Sequence, residues 1–582
     1  MTKVAIIGNG IFGGKIENCI KNTVQFVEPN IADWIIVATP NDLHYEHVEY
    51  WLSQKKNVFC EKPLTLTEKT SKELFLLADF MGVKLYVDDV FSWHDNINID
   101  TDGVVNFKFH KYGSFNANII DNLAYHHFYL WVNSDDIEIE KISYTPSSSY
   151  NTRLNFQVDL KGGRSGKFDY DILQSDGYVH KIDDGWNVVD VNPNNNPLKD
   201  MLLKCFAPFN YGSVNFEKNR KKTLNAVKLC EAVKKEVYPK VLVVGGGIFG
   251  TTSATMLSNA GYNVTLHEEL DSIMKCASNI NQYRLHKGYH YPRSKETVNE
   301  CLDGIKQFKR KYGDSVVNGD INHFYAISSR DSLVSSEDYI KFLDDMGLEY
   351  NLHEPINGTD LTIEVDEELF DSDKLTIQSS YKMKGVGVNV VLNKHTTKED
   401  FDDYDYVVIA TYSKLNELLD NKKQYQYEVV EKPVVRLPDS YKNKSVVVMD
   451  GPFMCLDPYK SDLHVLGHVK HAIHSTNVGD YPMVLNKDIV GYLNNGVISN
   501  PKITKIQRFI EAGMEFFEDF DKLEHVGSMF TVRTVLSHRD YDDARPTLVT
   551  KESDKVYTIF SGKIGTCVKA ANQLVKMIGK SV

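Results

Sequence analysis

None of the eight cysteines, Cys19, Cys60, Cys205, Cys230, Cys276, Cys301, Cys455 and Cys567, forms a C-x-x-C pair. Neither a zinc knuckle nor a dithiol redox motif is therefore legible. Scattered thiols in a long chain fit a reducing compartment, which points to the cytoplasm. Long apolar runs are also missing: residues 34–38 and 241–244 are the most apolar, and both are far too short to span a bilayer. There is no excess of positive charge. With 66 Lys and Arg against 79 Asp and Glu, the formal charge is −13, which excludes a nucleic-acid coat. The one basic stretch, 218–235, overlaps a helical pattern and reads as a solvated helix face. No signal segment is legible, because Met1-Thr2-Lys3 leads straight into a strand and a glycine turn. The remainder is ordinary globular composition, 42 % apolar and 25 % charged, in a 582-residue chain too long for one core.

The same device stands in the chain twice. Val4-Ala5-Ile6-Ile7 precedes Gly8-Asn9-Gly10-Ile11-Phe12-Gly13, and Val241-Leu242-Val243-Val244 precedes Gly245-Gly246-Gly247-Ile248-Phe249-Gly250. Each is a β-rich run, then G-x-G-x-x-G, then a segment able to be helical. The first glycine makes the tight turn, the second lets backbone approach a pyrophosphate, and the third lets helix and strand pack closely. The helix N-terminus then faces the phosphate charge. A carboxylate for the ribose is expected about 20 residues on. Glu268 stands there in the second copy, after Tyr262-Asn263-Val264-Thr265-Leu266-His267. Glu28 stands there in the first, but the next strand begins at Asp33-Trp34, with no room for the usual helix and strand between. Glu28 reads equally as a loop carboxylate.

Tyr238-Pro239-Lys240 is the seam, giving a nucleotide-binding domain over 1–95, an antiparallel sheet domain over 96–238 and a second nucleotide-binding unit over 239–582. In the first unit strands and helices alternate, as in a parallel α/β sheet. From about residue 103 the period becomes two, at Val105/Phe107/Phe109, Leu154/Phe156/Val158/Leu160 and Phe168/Tyr170/Ile172, as in half-buried antiparallel strands. A helix over 214–237 closes this half.

That order, with the Gly8–Gly13 turn, Ala38-Thr39-Pro40-Asn41-Asp42-Leu43-His44 and Glu61-Lys62-Pro63, resembles the glucose–fructose oxidoreductase/inositol dehydrogenase family of NAD(P)-dependent sugar dehydrogenases. The resemblance implies NAD(P) against Gly8, Gly10, Ile11, Phe12, Gly13, Glu28, Thr39, Pro40, Asn41, His44 and Glu61. It gives Lys62 the polarising of the reacting oxygen, with Pro63 fixing its turn. The family's D-x-x-x-H segment has the local form Asp121-Asn122-Leu123-Ala124-Tyr125-His126. Aligned on His126, the implied acid/base, it puts Asn122 at the acid position and Asp121 one residue out of register. Titration near neutrality is expected of such a group. His126 and His127 also read as ordinary partly buried histidines.

Residues 240–582 resemble the FAD-dependent oxidoreductases that include D-amino-acid and glycine oxidases. The carrying residues are the Gly245–Gly250 turn, Glu268, Ala277-Ser278-Asn279-Ile280-Asn281, the strand and turn through Ala410-Thr411, and Gly562-Lys563-Ile564-Gly565-Thr566 before a last helix. The resemblance implies FAD against Gly245, Gly247, Ile248, Phe249, Gly250, Glu268, Ser278, Asn279, Asn281, Ala410, Thr411 and 562–566. Substrate contacts are expected from Arg284, His286, His290, Tyr291 and Arg293, a stretch dense in polar aromatics, and from Arg533, Arg539 and Arg545, since arginine clamps carboxylate or phosphate. Each arginine reads equally as half of a surface ion pair. His464, His468, His471 and His474 lack the further partners of a metal site, and none is expected.

The expected fold is α/β and α+β: a shortened Rossmann domain and an open antiparallel sheet, fused to an FAD-binding Rossmann-type domain with a substrate sheet. The expected protein is a bifunctional oxidoreductase acting on small molecules (a sugar, nucleotide-sugar or amine), in unusual-sugar biosynthesis for surface polysaccharide. It has no nucleic-acid or membrane partner, and self-association is left open. Two alternatives stay open: a flavin-dependent amine or amino-acid oxidase whose first half is a scaffold, and a non-enzymatic dinucleotide sensor.

Overall fold

The β-rich run before the first glycine turn forms the strand Lys3–Ile7, and the segment after it the helix Ile11–Ile20. In the computed structural model, which describes residues 1–579 apart from 9, 100–101, 112–117, 147–151, 173–177, 318, 320 and 538–544, this strand belongs to a five-stranded parallel sheet. The order is Gln25–Phe26, Lys3–Ile7, Trp34–Val37, Asn57–Cys60, Leu85–Val87. After Gln25–Phe26 the chain makes only the 3-10 turn Pro29–Ile31 before re-entering on the other side of Lys3–Ile7. The sheet is thus shortened on one side, as the spacing after Glu28 requires.

The second sheet has six strands, ordered Val188–Asp190, Val179–Asp183, Val104–His110, Ser165–Asp171, Arg153–Leu160, Ile139–Thr145. Its period-two residues Leu154, Phe156, Val158, Phe168 and Tyr170 face the helices Tyr125–Trp131 and Phe216–Val237 in one core. The sheet is not wholly antiparallel, because Val104–His110 and Ser165–Asp171 run parallel. The chain between them holds a helix and a hairpin, long enough for the crossover that parallel neighbours need. Side-chain alternation is the same in either direction, so the sequence pattern was blind to this.

Beyond the seam, Lys240–Val244 is central in a six-stranded sheet with Asn263–His267 and Asn389–Val391 on one side, and Tyr406–Ile409, Val556–Phe560 and Leu548–Lys551 on the other. All pairs are parallel except the last. A larger mixed sheet stands beside it. Its longest members, Tyr425–Arg436 and Glu524–Leu536, pair antiparallel along their whole length.

The two halves are tied together by buried charge. Lys311 meets Asp42 at 2.5 Å and Lys382 meets Glu46 at 3.3 Å, with the Lys382 side chain fully enclosed. Burial works against the Asp42 charge, but Lys311 and Lys382 outweigh it and hold its carboxyl below the usual range. The Leu66 N–H donates to the Gly385 carbonyl at 3.0 Å, and the Leu66 side chain belongs to the apolar core built around Val241 and Val243. Removing one partner of a buried pair typically costs about 3–5 kcal/mol. Asp42→Ala is therefore expected to lower the melting temperature of the whole chain, and residues 240–582 expressed alone should melt lower still. Equal melting temperatures would show that the seam contributes nothing.

Candidate active sites

At the first glycine turn, Gly8 has φ +113° and a Cβ there would lie 2.4 Å from the Ala38 carbonyl oxygen. A Cβ on Gly13 would lie 2.3 Å from the Gly8 carbonyl oxygen, while Gly10 faces open space. Gly10 is the N-cap of Ile11–Ile20 and offers no side-chain cap, so the N–H groups of Ile11 and Phe12 point out of the helix end. Asn9 lies outside the described residues. Glu28 is exposed, at the start of the 3-10 turn.

The next two strands end at the same edge. Thr39 and Pro40 follow Trp34–Val37, and Asn41 opens the helix Asn41–Ser53. The Thr39 hydroxyl is buried without a partner, as a group awaiting a ligand would be. His44 is fully buried, its ring nitrogens 2.8 Å from the carbonyls of Thr39 and Pro63. It reaches any ligand only through the two turns it braces, so direct cofactor contact is corrected to a positioning role. Glu61, Lys62 and Pro63 follow Asn57–Cys60, with the Lys62–Pro63 peptide cis. The Lys62 ammonium donates to the Asn122 carbonyl at 2.8 Å. Burial lowers its pKa, while the carboxyls of Glu61, Asp88 and Asp121 act to keep its charge. Glu61 lies against Asp88, and burial followed by that neighbour raises its pKa well above the carboxylate range. Two enclosed carboxyls in contact favour sharing one proton.

The register problem around His126 has a structural solution. Residues Ile120–Ala124 form a π-turn leading into Tyr125–Trp131, so the extra residue of the D-x-x-x-x-H spacing is taken up by wider winding. Asp121 still does not serve His126: it is 1 % exposed and pairs with Lys234 at 2.9 Å. The Asn122 amide donates to the Asn118 carbonyl at 2.9 Å. His126 instead stacks on Phe91, ring centres 4.2 Å apart. Burial, then the Lys62 charge and the neighbouring histidines, hold it well below the usual imidazole range. It is neutral at neutral pH, so the expected titration near neutrality is corrected. Phe91 and Asp88 went unnoticed in the sequence, although Asp88 follows the strand Leu85–Val87, at the carboxyl edge where α/β sheets bind ligands.

The second glycine turn opens on a cavity of about 870 Å³. Gly245 has φ +103° with a Cβ position 2.7 Å from the Ala410 carbonyl oxygen, and a Cβ on Gly250 would fall 1.8 Å from the Gly245 oxygen. Gly247 has only the Ser278 hydroxyl near its Cβ position, at 3.1 Å. Glu268, at the end of Asn263–His267, accepts from the N–H groups of Gly246 at 2.6 Å and Leu270 at 2.9 Å. Ile248, Phe249, Glu268, Ser278, Asn281 and Ala410 line the cavity. So do Thr411, whose buried hydroxyl has no partner, and Gly562, Lys563 and Ile564. Gly250 lies behind the turn, and Asn279 uses its carbonyl to accept from the Tyr283 hydroxyl at 2.6 Å. The Gly565 carbonyl and Thr566 lie against Gly304, while the Cβ position of Gly565 faces open space.

Arg284, His286, His290, Tyr291, Arg293, Arg533 and Arg545 all line the same cavity, whereas Arg539 lies outside the described residues. The arginines are not open clamps. Arg284 pairs with Asp457 at 2.6 Å, Arg293 with Asp450 at 2.7 Å and Arg533 with Glu428 at 2.5 Å, while Arg545 has interactions of its own. Lys432, unnoticed in the sequence, also lines the cavity and donates to the Gln282 amide oxygen at 2.7 Å. Burial pushes its ammonium down to about 8. Its signal was a Glu431-Lys432 pair set between Val429-Val430 and Val434-Val435 in a largely buried strand. His468 and His471 meet with ring centres 4.1 Å apart, but His474 pairs with Glu431 at 2.8 Å and His464 meets the Tyr441 carbonyl, so the four do not form one cluster. Among the described residues no group of three or more His, Cys, Asp or Glu is placed to hold a metal ion.

Residues 15–89 match the oxidoreductase family with an NAD-binding Rossmann fold, GFO_IDH_MocA, and residues 240–345 match the FAD-dependent oxidoreductase family. The protein is an oxidoreductase with an NAD(P) site in its first half and an FAD site in its second. The two are called here the NAD half and the flavin half. Curated relatives include the FAD-dependent monooxygenase FPY4 of Fusarium mangiferae, 25 % identical over 352 residues, covering 58 % of this chain and 90 % of that protein. The 2,7-anhydro-N-acetylneuraminate hydratase of Escherichia coli is 32 % identical over 71 residues, 12 % of this chain and 19 % of that protein. Glycine oxidase from Geobacillus kaustophilus superposes with a TM-score of 0.45 at 13 % identity, over 58 % of this chain and 95 % of that one. No helix among the described residues is long and apolar enough to cross a membrane.

Proposed function

We propose that the NAD half oxidises or reduces a secondary alcohol of a sugar or nucleotide-sugar, and that the flavin half oxidises an amine or alcohol, as linked steps in making an unusual sugar. The observation that carries the first part is the convergence of Lys62 and His126 at the carboxyl edge of the first sheet, next to the uncapped helix end. A curated relative named for an anhydro sugar acid supports the substrate class. NAD(P), when bound, supplies the hydride acceptor or donor. Lys62 holds the substrate oxygen by its ammonium, and the Glu61–Asp88 pair behind it keeps that charge favourable. His126, neutral and stacked on Phe91, takes the hydroxyl proton.

A base works only while unprotonated. With His126 held well below the imidazole range by burial, Lys62 and the rings of His94, His127 and His180, the NAD(P)-linked rate should stay level through neutrality and fall only in acid. A rate that falls as pH drops through the ordinary histidine range counts against His126. The missing helix and strand after Glu28, and the pairing of Asp121 with Lys234 and not with His126, favour a second reading in which only the flavin half catalyses. Titration with NADH, and separately NADPH, separates the two: no change in nucleotide fluorescence with either leaves the first half a scaffold.

A further inference from the structure

Behind the cavity wall of the flavin half stands a carboxylate that neither turn accounts for. The Glu367 side chain is fully enclosed, yet it accepts from the Tyr325 hydroxyl at 2.6 Å and the Lys287 N–H at 3.2 Å, and it faces His286 Nδ1 at 3.5 Å. Burial acts to raise its pKa, but His286, Arg284 and Tyr325 outweigh this and bring it down to about 2, so it is ionised. His286 itself is on the cavity wall with about a fifth of its side chain exposed. With Nδ1 turned to Glu367, Nε2 is the nitrogen left for a ligand. The ring lies 5.6 Å from that of Tyr291, and the Lys563 ammonium sits 4.6 Å over Tyr291. That places the pair beside the 562–564 segment of the same wall.

We propose that His286, oriented by Glu367, is the base that removes the hydroxyl proton of an alcohol substrate in the flavin half. This deepens the function proposed above and rests on that half holding FAD. A free amine needs no such base, because its own lone pair drives the hydride out. An alcohol must lose its O–H proton as the hydride leaves, and a carboxylate-held imidazole is what that step uses. The rest of the wall agrees. Arg284, Arg293 and Arg533 are each matched to a carboxylate of the protein, and a matched guanidinium is a weaker clamp for the carboxylate of an amino acid than an open one. In the step, the substrate C–H bond breaks and its electron pair leaves as hydride to the bound FAD. The O–H bond breaks, its proton passes to His286 Nε2, and a C=O bond forms; the imidazolium then returns the proton to solvent. His286 is the catalytic residue and Glu367 a positioning residue.

The test uses the full-length FAD-loaded chain, mixed anaerobically with polyols (glycerol, myo-inositol, glucose, N-acetylglucosamine and the UDP-linked sugars) and with amines (glycine, sarcosine and L-proline), following loss of flavin absorbance. Reduction by a polyol is expected, slowed by about 10²–10⁴-fold in His286→Asn at unchanged FAD content. Glu367→Gln should slow it less, because the imidazole stays on the cavity wall while the carboxylate 3.5 Å from its Nδ1 loses its charge. The other groups facing His286 are the His290 and Tyr291 rings, with Tyr325, Arg284 and His323 around Glu367, and all remain in that variant. A readout free of turnover is the nitrogen NMR shift of the His286 ring at fixed pH, assigned by its loss in His286→Asn; Glu367→Gln should move it, because Nδ1 faces that carboxylate at 3.5 Å. Reduction by an amine, reduction by no polyol, an unslowed His286→Asn, or a His286 ring shift unmoved by Glu367→Gln each overturns the proposal. A chain that takes up no FAD overturns instead the reading beneath it, and the base assignment with it.

Discussion

The Gly247→Val protein is expected to purify colourless and to stay so after incubation with FAD. Gly247 sits at φ −70° and ψ 177°, ordinary extended backbone, so a side chain there strains nothing. Its Cβ would meet only the Ser278 hydroxyl, at 3.1 Å, a neighbour able to rotate. The turn should therefore form with two methyl groups standing where the pyrophosphate approaches the N-terminus of Ile248–Asn259. Gly250 is the contrasting position. A methyl there falls 1.8 Å from the Gly245 carbonyl oxygen, so Gly250→Ala should break the strand–helix contact itself. Absorbance in the flavin band, beside a circular dichroism spectrum, separates the outcomes: Gly247→Val loses flavin and keeps its fold, Gly250→Ala loses both. Full flavin occupancy in Gly247→Val would remove the pyrophosphate from this turn.

The second large effect is expected at Lys62. Lys62→Ala should slow NAD(P)-linked turnover by about 10²–10³-fold, the usual cost of removing one aimed donor from a reacting oxygen. Flavin content should not change, because the flavin cavity is lined entirely by residues beyond the seam. The variant also leaves the Glu61–Asp88 pair without its cation, so NADH binding should be measured alongside by fluorescence. Unchanged affinity with a lost rate assigns Lys62 to the reacting oxygen. A native rate removes Lys62 from the chemistry and leaves the NAD half a binding domain.

Both glycine turns and both nucleotide-binding sheets were legible in the sequence because each is written locally. A tight turn needs its glycine wherever the carbonyl of Ala38 or Ala410 comes within contact of a Cβ. The parallel pairing inside the second sheet was not legible, since alternation is the same for either strand direction. The site partners were harder still. Asp457 lies 173 residues from Arg284, and Asp450 lies 157 from Arg293. Nothing local in the arginine-bearing stretch says that its charges are already matched. Asp121 is the reverse case: its spacing to His126 was visible, but its partner Lys234 comes from a helix 113 residues away. Sequence spacing identified what could meet; which of several charges did meet was decided by the packing of distant elements.

The hydrogen bond from Leu66 to Gly385 joins the segment carrying Lys62 to the C-terminal end of the helix Ser372–Val386, inside the flavin half. Leu66 is four residues past Lys62 and shares its core with the strand that leads into the flavin turn. Any ligand that binds only the folded form of one half adds its binding free energy to the whole cooperative unit, at about 2.7 kcal/mol for a ligand at 100 times its dissociation constant. FAD thus acts as ballast for the NAD half. In one cooperative unit a chain short of flavin would lose that stabilisation in both halves at once, and the supply of one vitamin-derived cofactor would set how long the site for the other survives.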